Sequence, residues 1–272
     1  MTRTSRFLGV SLILFAGVFM TGCAPNHYTK SIAAFSNAAA PAIDNVDAAY
    51  VFVNDAHTLA EQAVLVQNFV KEFRPAPLQP FISPEELATR KKATSVLRQY
   101  AQLVGDLAIG KQPPPATSSF FSTTAKTATS AAPASTTKTA AGKMTSQQMD
   151  ALLSGLDVVV KPYLNFKIRR QLPPLVRAAD PLVQQVCTLL SADLVTLQVQ
   201  TDLDYWTLLM EQDQFIEDNQ TRMDAIQKRD QVIKLFQIEA DSKKADDAIA
   251  ATQDAVKKLA ETHHRLATGG TK

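Results

Sequence analysis

Residues 182–210 read LVQQVCTLLSADLVTLQVQTDLDYWTLLM, and the expected fold class follows from this run. The run contains neither Pro nor Gly, and the same is true of the whole segment 182–268. Its apolar residues recur at steps of three and four, whereas a strand would alternate with a period of two. We therefore predict a long helical tract in the C-terminal third of the chain.

The length of this tract predicts that it folds back on itself. A single helix over 180–266 would be about 130 Å long at 1.5 Å per residue, and the longest upstream helical pattern reaches only about 65 Å. A reversal near residues 218–221 gives two helices of about 58 and 69 Å, with Thr221 as the N-cap of the second. One continuous spine is the alternative.

Upstream of this tract, the sequence predicts a helical hairpin. Two neighbouring apolar seams run through residues 31–73, and Pro41 is expected to start or kink that helix. Ser83, followed by Pro84 and by Glu86 at the third helical position, is a helix start with a capping box. The seams consist of Ala39, Ile43, Val46, Tyr50, Val53, His57, Ala60 and Val64, and of Ala49, Phe52, Ala56, Leu59, Ala63, Val66, Val70 and Phe73.

A further helical region covers residues 145–172. Thr145 and Gln148 fit a capping box, and Pro162 should kink the helix. Pro173 and the Pro after it are expected to force an extended corner, after which Asp180 caps the next helix. With no strand pattern elsewhere, the fold class predicted is all-α: an elongated antiparallel bundle with coiled-coil-like long helices.

Between these regions the composition changes. From 116 to 143, 21 of 28 residues are Ala, Ser or Thr, and none is acidic. Such a segment buries too little apolar surface to offset its ordering entropy, so we expect a disordered loop over 111–143. Phe120 and Phe121 are its exception, and they either dock on the bundle, stay exposed or act as a short binding element.

The N-terminus has the pattern of an export signal. Arg3 and Arg6 precede an uncharged run of 14 residues, which is too short to span a bilayer comfortably. The run ends in Met20-Thr21-Gly22-Cys23, which resembles the lipobox of bacterial lipoprotein precursors. An ordinary secretory signal and an uncleaved anchor are the alternatives.

The resemblance implies cleavage before Cys23 and a diacylglyceryl group and an N-acyl chain on that residue. Two or three acyl chains make a stable membrane anchor. Because Ala24 and not Asp follows the Cys, the class resemblance implies the outer membrane, facing the periplasm, in a host with two membranes. The implied organisation is a signal peptide over 1–22, a tether over 23–30, a helical hairpin over 31–110, the loop, long helices of the same bundle over 144–268, and a tail over 269–272.

Composition and the absence of known motifs argue against several classes of protein function. Without the signal peptide the chain has 26 basic and 26 acidic residues, so no general field attracts nucleic acid. The motifs of P-loop, Rossmann, serine-hydrolase and zinc-protease sites are absent from the sequence. Cys187 lies in an apolar run and is expected to be buried and inert. We predict no resident cofactor and no catalytic residue.

The sequence contains one weak indication of a metal site, which involves a histidine near the C-terminus. Glu261 and His264 form one Glu-x-x-His pair, but a di-iron bundle needs two such pairs and further carboxylates. The seam that continues through His263 places that residue inward and the pair outward. His57 and His263 are therefore interpreted as hydrogen-bonded core residues, and we predict no metal site.

An acidic run surrounds Tyr205 and Trp206, which are the candidate interaction residues of this region. The run is interpreted as the solvated face of a helix whose opposite face packs inward, with the basic segments 90–92 and 167–170 as its pairing partners. Its carboxylates are Asp202, Asp204, Glu211, Asp213, Glu217 and Asp218, and the inward face is Leu203, Trp206, Leu209, Met210 and Phe215.

Three functional hypotheses remain. The first is a lipid-anchored, non-enzymatic cell-envelope protein that acts as a helical scaffold or interaction module for an envelope partner. The second is a carrier that holds a lipid or another apolar ligand within the bundle. The third is a metal-binding protein or an enzyme that uses the acidic run or the Glu261 and His264 pair.

Overall fold

The computed structural model describes residues 26–67, 77–111, 146–160 and 172–269. These residues form helices and turns, and no strand occurs among them. The predicted all-α helical bundle is therefore confirmed. Its helices are α1 (Asn26–Gln67), α2 (Pro84–Ala108), α3 (Ser146–Val160), α4 (Leu172–Asn219) and α5 (Ala225–Ala267).

The C-terminal tract does fold back, so the prediction of two helices is confirmed. The N-cap of α5 is Asp224, however, and the prediction of Thr221 was wrong. The Asp224 carboxylate accepts a hydrogen bond from the Gln227 amide at 2.8 Å, and the Gln227 side chain accepts one from the Asp224 amide at 3.0 Å. A capping box needs a Glu or Gln three residues after the cap, and Thr221 is followed there by an Asp.

The helices lie side by side, with α1 and α4 running in one direction and α2, α3 and α5 in the other. Phe35 of α1 contacts His263 near the end of α5, whereas His57 of α1 bonds to Asp204 of α4. The most extensive packing joins α4 to α5, and α1 packs on both. The bundle core therefore lies among α1, α2, α4 and α5, with α3 against α2 and α4.

The sequence signals around α2 are realised as predicted. Ser83 and Glu86 form the capping box, with both hydrogen bonds at 3.2 Å. Gly110, at φ 75°, follows the helix in the left-handed conformation that Gly adopts without strain. Asn54 of α1 holds the backbone of Ile82 by two hydrogen bonds, so the entry to α2 is fixed against α1.

The start of α4 differs from the prediction. The helix begins at Leu172, so Pro173 and Pro174 lie in its first turn rather than in an extended corner. First-turn residues have no intrahelical partner for their N–H groups, so Pro is tolerated there. Asp180 is not a cap, because α4 continues through Pro181. One backbone hydrogen bond is absent at that Pro, and Ala179 and Val183 on either side of it are buried in the core.

One further predicted boundary is corrected by the structure, and other predicted segments lie outside the described residues. The predicted tether was too long, because residues 26–30 already belong to α1. The signal peptide, Thr145, Pro162 and residues 112–143 of the loop lie outside the described residues.

Along its length the molecule has two parts. We call the body α1–α3 with residues 172–205 of α4 and 245–267 of α5, and we call the tip the remaining hairpin, residues 206–244. The body contains the whole buried core, whereas no side chain of the tip is buried. Although α4 is long and apolar enough by composition to cross a membrane, it is the central helix of the body.

Candidate interaction surface

The outer side of α4 carries a row of large apolar side chains that point to solvent. Its members follow one another at steps of four, four, three and four residues, so they share one face of the helix. Each is between 51 and 60% exposed. We call this row the α4 stripe; it consists of Val195, Val199, Leu203, Trp206 and Met210.

The α4 stripe overturns one sequence interpretation. Leu203, Trp206 and Met210 were expected on the inward face of α4, together with Phe215, but all four are exposed. The inward positions of α4 are instead one row further round the helix, with Leu197, Thr201 and Tyr205 among them. Because α4 is apolar on more than one face, its pattern did not indicate which face the other helices would cover.

The two candidate aromatic residues of this region therefore separate. Tyr205 is buried in a small cluster with Ala56 and Ala245, and its ring stacks on Phe52 at a centroid distance of 6.4 Å. Trp206, the one Trp of the chain, is 60% exposed within the α4 stripe. Only Trp206 is available to a partner. Cys23, Phe120 and Phe121 lie outside the described residues.

Acidic groups lie beyond the upper end of the stripe and beside its middle. Between residues 178 and 221 the chain has eight carboxylates and neither Lys nor Arg. Asp213 and Glu217 are exposed next to the upper end of the stripe. Asp202 lies beside its middle, where partial burial and the hydrogen-bonded carboxyl of Asp246 raise the pKa of Asp202 to about 6. The charged α4 side chains next to the stripe are therefore acidic, while α5 contributes both Asp254 and Lys257 at its lower end.

The lower end of the stripe opens into a cleft between α4 and α5. The cleft has a volume of about 370 Å³. Val195 belongs both to the stripe and to the cleft wall, and Asp254 and Lys257 line it from α5. The cleft is therefore continuous with the stripe and has room for one or two inserted side chains.

A second cleft lies between the end of α1 and the tip. It has a volume of about 440 Å³, and charged and amide side chains share its walls with apolar ones. The apolar residues are Leu59, Ala63, Val66, Leu208, Phe215 and Ile238.

Inside the body, the ionisable groups are engaged with one another. Arg90 donates two hydrogen bonds of 2.8 Å to Asp193, and both residues are buried. Asp193 was missed in the sequence, although it is the one charged residue in the apolar run 182–201. The expected pairing of segment 90–92 with the acidic run was wrong, because Arg90 binds Asp193 and Lys92 binds Asp150.

A second buried group joins α2, α4 and α5. The Tyr100 hydroxyl lies 2.8 Å from Nε2 of His263, and Nδ1 of His263 lies 2.9 Å from Asp180. Burial lowers the pKa of His263 although the Asp180 carboxylate opposes that effect. In the neutral ring, Nδ1–H then donates to Asp180 and Nε2 accepts from Tyr100. His263 is buried and hydrogen-bonded, as its seam predicted.

The other residues considered for catalysis or metal binding lie in different parts of the bundle. His57 bonds to Asp204 at 3.0 Å, so one carboxylate of the acidic run is buried rather than solvated. Glu261 and His264 point outward, as predicted, with His264 held by Asp180. Burial raises the pKa of the Cys187 thiol to about 12. Among the described residues, no three His, Cys, Asp or Glu side chains are grouped as metal ligands.

The fold defines an all-α bundle with a hairpin that extends beyond its core. No protein-family model, curated protein or solved structure matches this chain. Among the described residues, the α4 stripe is the longest row of exposed large apolar side chains on one helix face. Because no relative indicates what this surface does, its function is inferred from its geometry and charge.

Proposed function

We propose that this protein is a lipid-anchored, non-enzymatic component of the bacterial cell envelope that holds a protein partner on a helical surface. The α4 stripe is the observation that carries the proposal. Single exposed apolar residues are ordinary, but five in one row form a contiguous patch of the kind that marks an interaction site. The position of such a row on a rigid helix favours recognition of another helix.

The geometry of α1 supports the anchored part of the proposal. This helix begins at Asn26, three residues after the Cys of the lipobox-like motif, and it starts at the end of the body opposite the tip. The turn between α4 and α5 is about 70 Å from the start of α1 at 1.5 Å per residue. A lipid on Cys23 would hold one end of the bundle at the membrane and place the tip far from it, in the periplasm if the host has an outer membrane.

Lipidation is tested by labelling cells with an alkyne analogue of palmitate and by separating membrane from soluble fractions. We expect the full chain to carry the label and to sediment with membranes. The Cys23→Ala variant should lose both properties, while Cys187→Ala, which changes the other Cys, should keep both. Label that persists in Cys23→Ala would contradict the anchoring proposal.

The partner is tested by crosslinking the anchored protein in its native cells and identifying bound proteins and extracted lipids. A stoichiometric envelope protein supports the scaffold function. A bound lipid without a protein partner would contradict it in favour of the carrier.

The cleft between α1 and the tip favours the carrier as the second candidate. Its volume lies within the range of about 300–1,000 Å³ that is usual for ligand sites. If it holds an apolar ligand, a fluorescent fatty acid should bind, and Ala63→Trp should weaken that binding about tenfold by filling the cleft. The matched control is Ala250→Trp, at an exposed position on α5. Unchanged binding in Ala63→Trp would exclude this cleft as the site.

A further inference from the structure

The dimensions of the α4 stripe match those of a partner helix. Its five residues extend over about 22 Å, or roughly four helical turns. An amphipathic helix places its own apolar side chains at the same steps of three and four residues, so the two rows interdigitate. The cleft of about 370 Å³ at Val195 provides a place for an anchoring side chain at one end of the row.

The charge next to the stripe distinguishes between three possible binding partners: a second copy of this protein, a membrane and a helix of another protein. A second copy of α4 would bring carboxylates against carboxylates, because this helix has no Lys or Arg after residue 177. A membrane rich in anionic lipids would be repelled for the same reason. Lys or Arg on a partner helix would instead lie against Asp213 and Glu217 beyond the upper end of the stripe and against Asp202 beside its middle.

We propose that the α4 stripe is the docking site for an amphipathic helix of a partner protein, with an apolar face that covers the stripe and Lys or Arg at one end of that face and on the side next to Asp202. The inference rests on the proposed function, because it specifies the kind of partner that the scaffold holds. Trp206 lies within the contact, so its fluorescence reports docking directly.

The test uses residues 24–272, since the buried core lies between Ile32 and Ala267. The probes are two synthetic helical peptides of about 20 residues, which span the stripe with a margin. Both have Leu at steps of three and four, and their remaining positions are Ala with either Lys or Glu. We expect the Lys peptide to shift the Trp206 emission to shorter wavelength and to saturate. The Glu peptide should bind at least about tenfold more weakly.

Variants locate the contact without disturbing the core. Val199→Gln with Leu203→Gln keeps the charge, and we expect it to weaken Lys-peptide binding about tenfold or more because two apolar contacts are lost. The matched control is Ile233→Gln with Phe236→Gln on the exposed side of α5, which should change affinity less than about twofold. Asp213→Asn with Glu217→Gln should weaken Lys-peptide binding about threefold and reduce its salt dependence.

Several results would overturn the inference. They are an unchanged Trp206 emission with the Lys peptide, equal binding of both peptides, or an equal loss of affinity in the α5 control. Self-association that Val199→Gln with Leu203→Gln abolishes would identify a second copy as the occupant, and vesicle binding lost in the same variant would identify lipid. These results concern the occupant of the stripe alone; the lipid anchor and the existence of an envelope partner are decided separately, by Cys23 labelling and by the crosslinking experiment.

Discussion

Helices α4 and α5 run through both the body and the tip, but the contacts that hold them differ between the two parts. In the body, α4 has neighbours on several sides, and residues such as Leu190, Leu194 and Leu197 are fully buried. In the tip, α4 and α5 pack mainly on each other, through half-buried side chains and a hydrogen bond of 3.0 Å from Gln212 to Gln231. Helix length is thus no guide to burial in this chain.

The difference also concerns polar groups. The body contains buried ionisable side chains that pair with one another, such as Arg90 and Asp193, whereas no charged side chain of the tip is buried. Stability should therefore reside in the body, while the tip and the adjoining stripe remain tolerant of substitution and open to binding. Substitutions that are matched between the two parts test this separation.

The largest expected effect is at the buried Arg90 and Asp193 pair. Asp193→Ala leaves an uncompensated buried guanidinium, which should lower the free energy of unfolding by about 3–5 kcal/mol. In a chain of this size the midpoint of thermal unfolding would fall by about 10 °C. Asp213→Ala in the tip is the control and should change stability by less than about 0.5 kcal/mol. Similar losses in both variants, measured by calorimetry, would refute the separation.

Two leucines six residues apart on α4 give the next contrast. Leu197 is fully buried and Leu203 is 53% exposed. Leu197→Ala should cost about 2–5 kcal/mol through lost burial and the cavity left behind. Leu203→Ala should cost less than about 0.5 kcal/mol. Urea unfolding measures both, and a large loss in Leu203→Ala would mean that the stripe is a packed surface rather than an open one.

His263 should make the stability of the body depend on pH. Its pKa is lowered in the folded state, so the stability that it contributes is complete above pH 6.5, the value of an unperturbed His, and is lost as the pH falls below it. His263→Leu removes hydrogen bonds to the buried Tyr100 hydroxyl and to the half-buried Asp180 and should cost about 1–3 kcal/mol at pH 7.5.

The difference between parent and His263→Leu should shrink as the pH falls from about 7 to 5. The Asp202 carboxyl acts in the opposite sense, because its raised pKa of about 6 makes stability fall as the pH rises through that range. Subtracting the variant from the parent at each pH removes this contribution, since the two groups are in different parts of the bundle. A difference independent of pH would contradict the neutral state of His263.

Local sequence patterns were sufficient to predict that these segments form helices. Ser83 with Glu86, and the seam that runs through His263, follow from capping chemistry and helical period, and the structure has both. The reversal between α4 and α5 followed from a length argument, because no other helix pattern was long enough to cover a single spine. The Pro pair at 173–174 misled because Pro is compatible with the first helical turn as well as with a corner.

The candidate surface was not predictable in the same way. Trp206 was selected but placed on the inward face, and Val195 and Val199 were not selected at all. Whether an α4 residue is buried depends on how many helices pack against α4 at that point along its length. The helical period of the sequence identifies apolar faces, but it carries no information on which of them the other helices cover. Asp193 and its partner Arg90 are 103 residues apart, so only the packed structure pairs them.

The smallest expected effect concerns the cap of α5 and should be confined to the tip. Asp224→Ala removes the capping box and should cost about 1 kcal/mol. Because no side chain of the tip is buried, the loss should appear as faster amide exchange in residues 206–244 with little change in the body. The matched control is Asp230→Ala, which alters an exposed acid in the next turn. If Asp224→Ala also accelerated exchange around Tyr100 and Leu190, tip and body would unfold as one unit.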